Sequence, residues 1–280
     1  KYCYVDYWSS ISYFFDSEKQ AGRNVMNNSE ITFSGVKFSY DKNEVLHGVG
    51  AEVEKGKITA VFGPNGSGKT TLLKCLACLS VPKEGRIMIC GQDTRGLNKR
   101  QISRLISYVP QEHAVSFGFT VEEVVLMGRT PHLGGIQGPS NEDYEAVRKA
   151  IHTVGIQDIG TNAYTALSGG QRQLVLIARA LAQECPIMIM DEPTAALDFR
   201  NQLVLWKQLS SLRQAGKTIL VCTHDPNHVK WFCDRMIVVN QGKVFASGEV
   251  GELLTEQLME QLYGITCRVE NGSVIPLIKK

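Results

Sequence analysis

Apolar and polar positions fall into two periodicities that alternate along the chain. Ile31-Thr32-Phe33 and Val36-Lys37-Phe38-Ser39-Tyr40 switch between apolar and polar, and residues 44–49 lead in the same way to Ala51-Glu52-Val53-Glu54. Period two predicts strands with one face buried. Residues 57–62, 187–190 and 218–223 are instead short, nearly continuous apolar runs, as expected of strands covered on both faces of a parallel sheet. Residues 85–91 read as another strand between glycines, and 106–111 as one that Pro110 terminates. Helical stretches over 71–79, 99–105, 172–182 and 202–215 lie between these strands. The fold class predicted is α/β.

A second block of helix falls within residues 120–165. Thr120 is placed to cap one helix, with Glu123 as its capping-box acid. Ser140 caps another, whose apolar stripe is Tyr144, Val147, Ile151 and Val154 and which Gly155 closes. Helices inserted between two parts of a strand-rich core predict a separate lobe, over about 112–167. Met236-Ile237-Val238-Val239 and Lys243-Val244-Phe245-Ala246 form a hairpin across Asn240-Gln241-Gly242. After it come a helix over 252–262 and two short strands around Asn271-Gly272, read as packing with no chemistry of their own. Residues 1–30 do not resemble the rest: 1–15 are crowded with aromatics and 16–30 are polar. They hold no basic stretch followed by an apolar core, so they read as an extension of unassigned role and not as a signal peptide.

Composition narrows this picture only a little. A chain of 280 residues, 43% hydrophobic and 21% charged, can bury a sizeable core and has the balance of a soluble globular protein. A net charge of +2 gives no electrostatic case for nucleic acid or for an anionic membrane surface. No apolar run approaches the roughly 18–20 residues that cross a bilayer, so service to a membrane would be given from outside the lipid. Of the eight cysteines, only Cys75 and Cys78 have C-x-x-C spacing. With no second pair, they are expected to pack on a helix, and the scattered thiols fit a reducing compartment.

The candidate chemistry centres on Gly63-Pro64-Asn65-Gly66-Ser67-Gly68-Lys69-Thr70, followed by Thr71. Every required position of G-x-x-x-x-G-K-[ST] is filled, between a strand and a helix as the motif demands. Glycines let backbone wrap phosphate oxygens, and the helix start aims unpaired N–H groups and a positive dipole end at them. Lys69 is expected to reach the β- and γ-phosphates and the Thr70 hydroxyl to hold Mg²⁺. The apolar run 187–190 ends in Asp191-Glu192, where α/β proteins bind ligands at the carboxyl ends of strands. Asp191 can hold Mg²⁺ directly or through water, and Glu192 can polarise an attacking water. Weaker signals stand beside these. Tyr40 is either a stacking platform for a nucleobase or a half-buried strand aromatic. Gln111 is either a reach toward Mg²⁺ or a solvent-exposed amide. Ser168, before Gly169-Gly170-Gln171, is a natural N-cap; His224 ends a strand where it can meet a γ-phosphate or do nothing.

Taken in order, these pieces resemble the nucleotide-binding subunits of ATP-binding cassette (ABC) transporters, over about residues 31–274, with 275–280 as a tail. The resemblance implies a P-loop NTPase cassette with a RecA-like mixed-sheet core, an antiparallel β subdomain and the inserted helical lobe. By that resemblance Tyr40 is the adenine-stacking aromatic and residues 63–70 the Walker A loop. Gln111 is then the Q-loop glutamine, serving both metal and catalysis. Leu167-Ser168-Gly169-Gly170-Gln171 is similar to the family signature, Asp191 and Glu192 to the Walker B pair, Asp198 to the D-loop aspartate and His224 to the switch histidine. Ala195 departs from the serine that often precedes the D-loop. The resemblance implies ATP and Mg²⁺ as ligands, Glu192 as general base, and His224 and Lys69 stabilising the transferring phosphoryl. It implies a head-to-tail dimer in which each signature faces the other subunit's phosphate loop. Residues 119–132, 177–182 and Leu262-Tyr263-Gly264 look like the importer subfamily for iron–siderophore complexes, haem and cobalamin, with molybdate or tungstate importers of similar build the alternative. Such a subunit sits on the cytoplasmic face of a prokaryotic membrane under a separate permease, with a substrate-binding protein beyond and no nucleic acid. A soluble ABC ATPase or a non-hydrolysing binding module would be the other classes. The resemblance also implies that the permease's coupling helix sits in a groove near Gln111 and the helical lobe, including Phe117, Phe119 and Arg129.

Overall fold

The computed structural model describes residues 28–111, 118–134, 138–270 and 272–277. Most of the N-terminal extension, Phe117 and Asn271 therefore lie outside the described residues.

β1 (Ser29–Tyr40) and β2 (Asn43–Glu54) pair antiparallel, and β4 (Glu84–Ile89) and β5 (Gln92–Asp93) complete a four-stranded sheet ordered β2-β1-β4-β5. β1 begins at Ser29, so the last two residues of the expected extension belong to the fold; Glu30 is buried and accepts a hydrogen bond from the Cys90 thiol at 3.3 Å.

The second sheet is built on β3 (Ile58–Phe62). Its order is β10-β9-β3-β8-β7-β6, from β6 (Ile106–Val109), β7 (Ile187–Asp191), β8 (Thr218–Cys222), β9 (Arg235–Asn240) and β10 (Lys243–Glu249). All neighbours run parallel except the β9–β10 hairpin. Every residue of β3, β7 and β8 is buried, which explains their unbroken apolar sequence. Each such Val, Ile or Leu contributes about 1.5–3 kcal/mol on burial. The register pairs Val61 with Cys222, Asp191 with Cys222 and Val109 with Met190. The chain segments that follow β3, β6, β7 and β8 therefore leave the sheet at one edge.

Helices cover this sheet. α1 (Lys69–Leu76) follows β3, and α2 (Lys99–Leu105) precedes β6. α3 (Val121–Leu126), α4 (Asn141–Val154) and α5 (Gly169–Ala182) pack as a helical group whose core continues into α6 (Phe199–Gln214) and the sheet. Thr120 and Ser140 each close a capping box at the start of their helices. Tyr144 does not join the expected stripe of α4; it is exposed, and Ala146 and Ala150 take the buried face with Val147, Ile151 and Val154. Spacing placed the aromatic on the right turn but one position off the buried arc.

Two more differences from expectation are structural. The tail helix is broken: α8 (Val250–Leu253) and α9 (Glu256–Tyr263) are separated at Leu254-Thr255, because Thr255 caps α9 by accepting from the Leu258 N–H. Arg129 does not line a groove. It is buried, donating to Asp143 and Glu184 at 2.8 Å each and to the Ala182 carbonyl at 2.7 Å. A cation that reaches three acceptors inside the helical lobe ties α4 to the end of α5. α7 (Pro226–Phe232) precedes β9, and a separate hairpin of β11 (Cys267–Glu270) and β12 (Ser273–Pro276) closes the chain. Cys75 is buried on α1, and burial pushes its thiol up to about 12, far from a reactive thiolate.

Candidate active site

The phosphate-loop sequence leaves β3 at Gly63 and enters α1 at Lys69. Gly63 has φ +152°, and a Cβ there would collide with the Val239 carbonyl oxygen. The loop is fixed to the β9–β10 turn by the Gly242 N–H donating to the Ser67 carbonyl at 3.0 Å. Gly68, at φ +102°, turns the chain into the helix. Lys69 is buried, with its ammonium donating to the Gly63 and Pro64 carbonyls at 2.8 Å each. Ser67 Oγ is buried with no hydrogen-bond partner among the described residues, a polar atom left for a ligand that enters the loop.

Asp191 ends β7 and is almost fully buried. It accepts from the Thr70 hydroxyl at 3.1 Å and from the Tyr108 hydroxyl at 3.4 Å. Burial pushes its carboxyl up, opposed first by the Thr70 hydrogen bond. Glu192 follows with φ +45°, a left-handed conformation uncommon for a residue with a side chain, and its N–H donates to the Cys222 carbonyl at 3.2 Å. The turn aims its carboxylate at two partners. Gln111 Nε2 donates to Oε2 at 3.3 Å, and His224 Nδ1 lies 3.3 Å from Oε1.

Lys69, Thr70, Gln111, Glu192 and His224 face one cleft of about 450 Å³, lined also by Val45, Asn65, Gly66, Gly68 and Thr71. Larger grooves exist elsewhere, but none carries this set of groups. A cation, a helix start, a hydroxyl beside a buried carboxylate and a carboxylate held between an amide and an imidazole can bind a polyphosphate and activate water.

A second set of expected residues stands apart. Ser168 and Gln171 form a reciprocal capping box at the start of α5, and Asp198 caps α6 by accepting from the Asn201 N–H at 2.8 Å. A Cβ added at Gly170 would lie 3.1 Å from the Ala196 carbonyl oxygen, and one at Gly169 would lie 3.9 Å from the Ala196 Cβ, so both glycines lie beside the segment that leads to Asp198. Ser168, Gly169, Gly170, Gln171 and Asp198 thus share one surface, outside the lining of the cleft. Tyr40 is also outside that lining: it is 47% exposed, edge-on to Phe38 with ring centroids 4.8 Å apart.

Val45 and Tyr108 were not foreseen. Tyr108 reaches Asp191 only because β6 lies beside β7, an adjacency with no local signature.

Residues 46–195 match the family described as ABC transporter. This chain belongs to that family. The cassette is 37% identical over 236 residues to the ferric enterobactin transport ATP-binding protein FepC of Escherichia coli (strain K12), covering 84% of this chain and 87% of that one. It is 35% identical to the hemin import ATP-binding protein HmuV of Streptomyces coelicolor, covering 82% and 81%. Among solved structures it is similar to an ABC transporter described as of metal-chelate type, in an inward-facing conformation. The TM-score there is 0.77 and the identity 30%, over 90% of this chain and 98% of that one. A dimeric bacterial ABC transporter cassette, MJ0796, aligns with TM-score 0.71 and 29% identity over 79% of this chain and 98% of that one. The cassette is an ATP-binding, ATP-hydrolysing α/β protein of this family. Among its described residues no helix is long and apolar enough to cross a membrane.

Proposed function

We infer that the cassette is the ATPase subunit of an importer that moves a metal chelate, an iron–siderophore complex, haem or cobalamin, through a separate permease. The observation that carries the hydrolytic part is the Glu192 carboxylate, held by Gln111 and His224 beside the Lys69–Thr70 loop. The relatives named for ferric enterobactin transport and hemin import support the cargo class.

In this reading the triphosphate enters the loop, and Lys69 leaves the two loop carbonyls for β- and γ-phosphate oxygens. Backbone N–H groups of residues 66–71 and the Ser67 hydroxyl cradle the β-phosphate. Glu192 accepts a proton from the attacking water, while Gln111 and His224 hold that carboxylate and the water in line. The Thr70 hydroxyl, the Asp191 carboxylate and the Gln111 amide oxygen are hard oxygen donors, and two of them already touch. They suit Mg²⁺, which needs few protein ligands when phosphates supply the others. When bound, Mg²⁺ neutralises charge on the β- and γ-phosphate oxygens.

Tyr40 stacks on adenine from the exposed end of β1. The surface carrying Ser168, Gly169, Gly170, Gln171 and Asp198 completes the site of a second copy head to tail, offering the N-terminus of the 14-residue α5 to its γ-phosphate. A groove of about 940 Å³ between α1, α2 and the helical lobe receives the permease. Leu79, Ile102, Met127 and Leu133 give it apolar walls, and among the described residues its charged lining is the cations Lys99, Arg100 and Arg179. An amphipathic helix with an acidic residue fits that lining. The subunit works at the cytoplasmic face of a prokaryotic membrane, with a substrate-binding protein on the other side.

The test is hydrolysis by the cassette alone and in lipid vesicles with a candidate metal-chelate permease. Stimulation by the permease, lost in Met127→Asp while the basal rate persists, is the expected result. A permease that neither binds nor stimulates the wild type would end the transport reading.

A further inference from the structure

His224 is 60% exposed on its side chain, and among the described residues its polar contact is with Glu192. Little packing of its own holds the imidazole in place, so the backbone on either side must. That backbone runs directly into α7. The Asp225 side chain caps α7, accepting from the Asn227 N–H at 2.8 Å and the His228 N–H at 3.3 Å, and the Asp225 N–H donates to Thr223 Oγ1 at 3.2 Å. With seven residues, α7 has too few turns to be stable by itself. Inward it is held by His228 and Val229, which are buried, and by Phe232 stacked on Trp206 at 5.0 Å.

Outward it is held by the end of the chain. Asn227 Oδ1 accepts from the Val274 N–H at 2.7 Å and Asn227 Nδ2 donates to the Val274 carbonyl at 3.4 Å, so one side-chain amide pairs both backbone groups of β12 as a neighbouring strand would. One helical turn later, Trp231 Nε1 donates to the Gly272 carbonyl at 2.7 Å. The β11–β12 hairpin pairs with no other described sheet, and a lone two-stranded hairpin is marginal in water. The hairpin also packs on α9, where Cys267 and Val274 are buried with Leu258 and Met259 and the Val269 N–H donates to Glu256 at 3.1 Å. Asn227, which joins the hairpin to α7, lies three positions after His224.

We propose that the C-terminal hairpin is a positioning element for hydrolysis: through Asn227 it fixes the start of α7 and so sets the His224 imidazole against Glu192. Asn227 touches no reacting atom and acts only through that alignment. The inference rests on the reading of His224 given above.

Asn227→Ala should lower kcat for ATP hydrolysis about tenfold, with KM for ATP within about twofold, because only the alignment of the water-activating groups is lost. Asn227→Asp keeps the acceptor for the Val274 N–H and should recover most of the rate. Amide hydrogen exchange at Val274 and over residues 226–232 should quicken in Asn227→Ala and much less in Asn227→Asp. In a His224→Ala background, Asn227→Ala should remove nothing further, since the two changes act on one group. If Asn227→Ala does not fold, Trp231→Phe serves in its place, with a loss of about threefold that likewise vanishes without His224. A wild-type kcat in Asn227→Ala despite faster exchange would overturn the proposal. So would an equal fold loss with and without His224. A fully active His224→Ala would instead overturn the role of His224 itself, and this proposal with it.

Discussion

Arg129→Met keeps most of the side-chain volume and removes the charge that ties the helical lobe together. Arg129 and its partner Asp143 are both 6% exposed, and the ion pair between them is 2.8 Å long. Removing one member of such a buried pair costs about 3–5 kcal/mol, because the other charge stays buried without its partner. The Glu184 arm adds little, since that carboxylate is half exposed and solvent screens it. Against a total stability of about 5–15 kcal/mol this is a large loss, equivalent to a melting temperature roughly 10 °C lower. The pair also has a pH signature. The Arg129 hydrogen bond first, and then the Ser140 N–H, hold the Asp143 carboxyl down at about 2, against an ordinary 3.8. A carboxyl depressed in the folded state stabilises above its unfolded pKa and loses that contribution as pH falls through the folded one. About 2 kcal/mol should therefore disappear from the wild type between pH 4 and pH 2, and less from Arg129→Met. Urea unfolding followed by far-UV circular dichroism at pH 7 and across that acid range measures both effects. A loss under about 1 kcal/mol at pH 7 would refute the reasoning.

Three further outcomes are expected. Gly63→Ala should fold poorly or lose ATP binding, since its Cβ meets the Val239 carbonyl oxygen; a soluble variant with wild-type affinity for a fluorescent ATP analogue would contradict the loop geometry. Tyr40→Ala should weaken ATP binding by about 1–3 kcal/mol if its ring stacks on adenine, and leave GTP and ATP equally affected, as titration calorimetry would report. Ser168→Ala should cost about 1 kcal/mol in thermal stability through the lost cap of α5, and its loss of ATPase should grow steeply at dilution, where dimers are scarce. A loss independent of protein concentration would place Ser168 outside the interface.

What was legible depended on how local the cause is. The phosphate loop could be read because its spacing, its glycines and the strand and helix around it are contiguous. The acids at the end of β7 could be read because five buried positions in a row leave few alternatives to a central strand. Arg129 was expected at the groove from the family resemblance alone and is instead buried; its three acceptors come from residues 143, 182 and 184, and only folding brings them together. Tyr108 and Asn227 were passed over for the same reason, since their partners lie 83 and 47 residues away. The tail looked like packing because Asn227 and Trp231, which carry its contacts, sit in another segment. The signature residues present a different limit. Ser168 and Asp198 act as helix caps within one chain, so their reading as half of a nucleotide site comes from the family and waits on the second copy.

In the proposed function, Glu192 is the water-activating base of a site that two copies complete, and hydrolysis depends on it. The measurement that tests it most directly is light scattering on wild type and Glu192→Gln with Mg²⁺ and ATP, with phosphate release followed in parallel. Wild type should turn over and remain largely monomeric. Glu192→Gln should lose about 10²–10⁴ of the rate, keep its ATP and accumulate as a dimer. A Glu192→Gln protein that hydrolyses at the wild-type rate, or that holds ATP and stays monomeric, would contradict it.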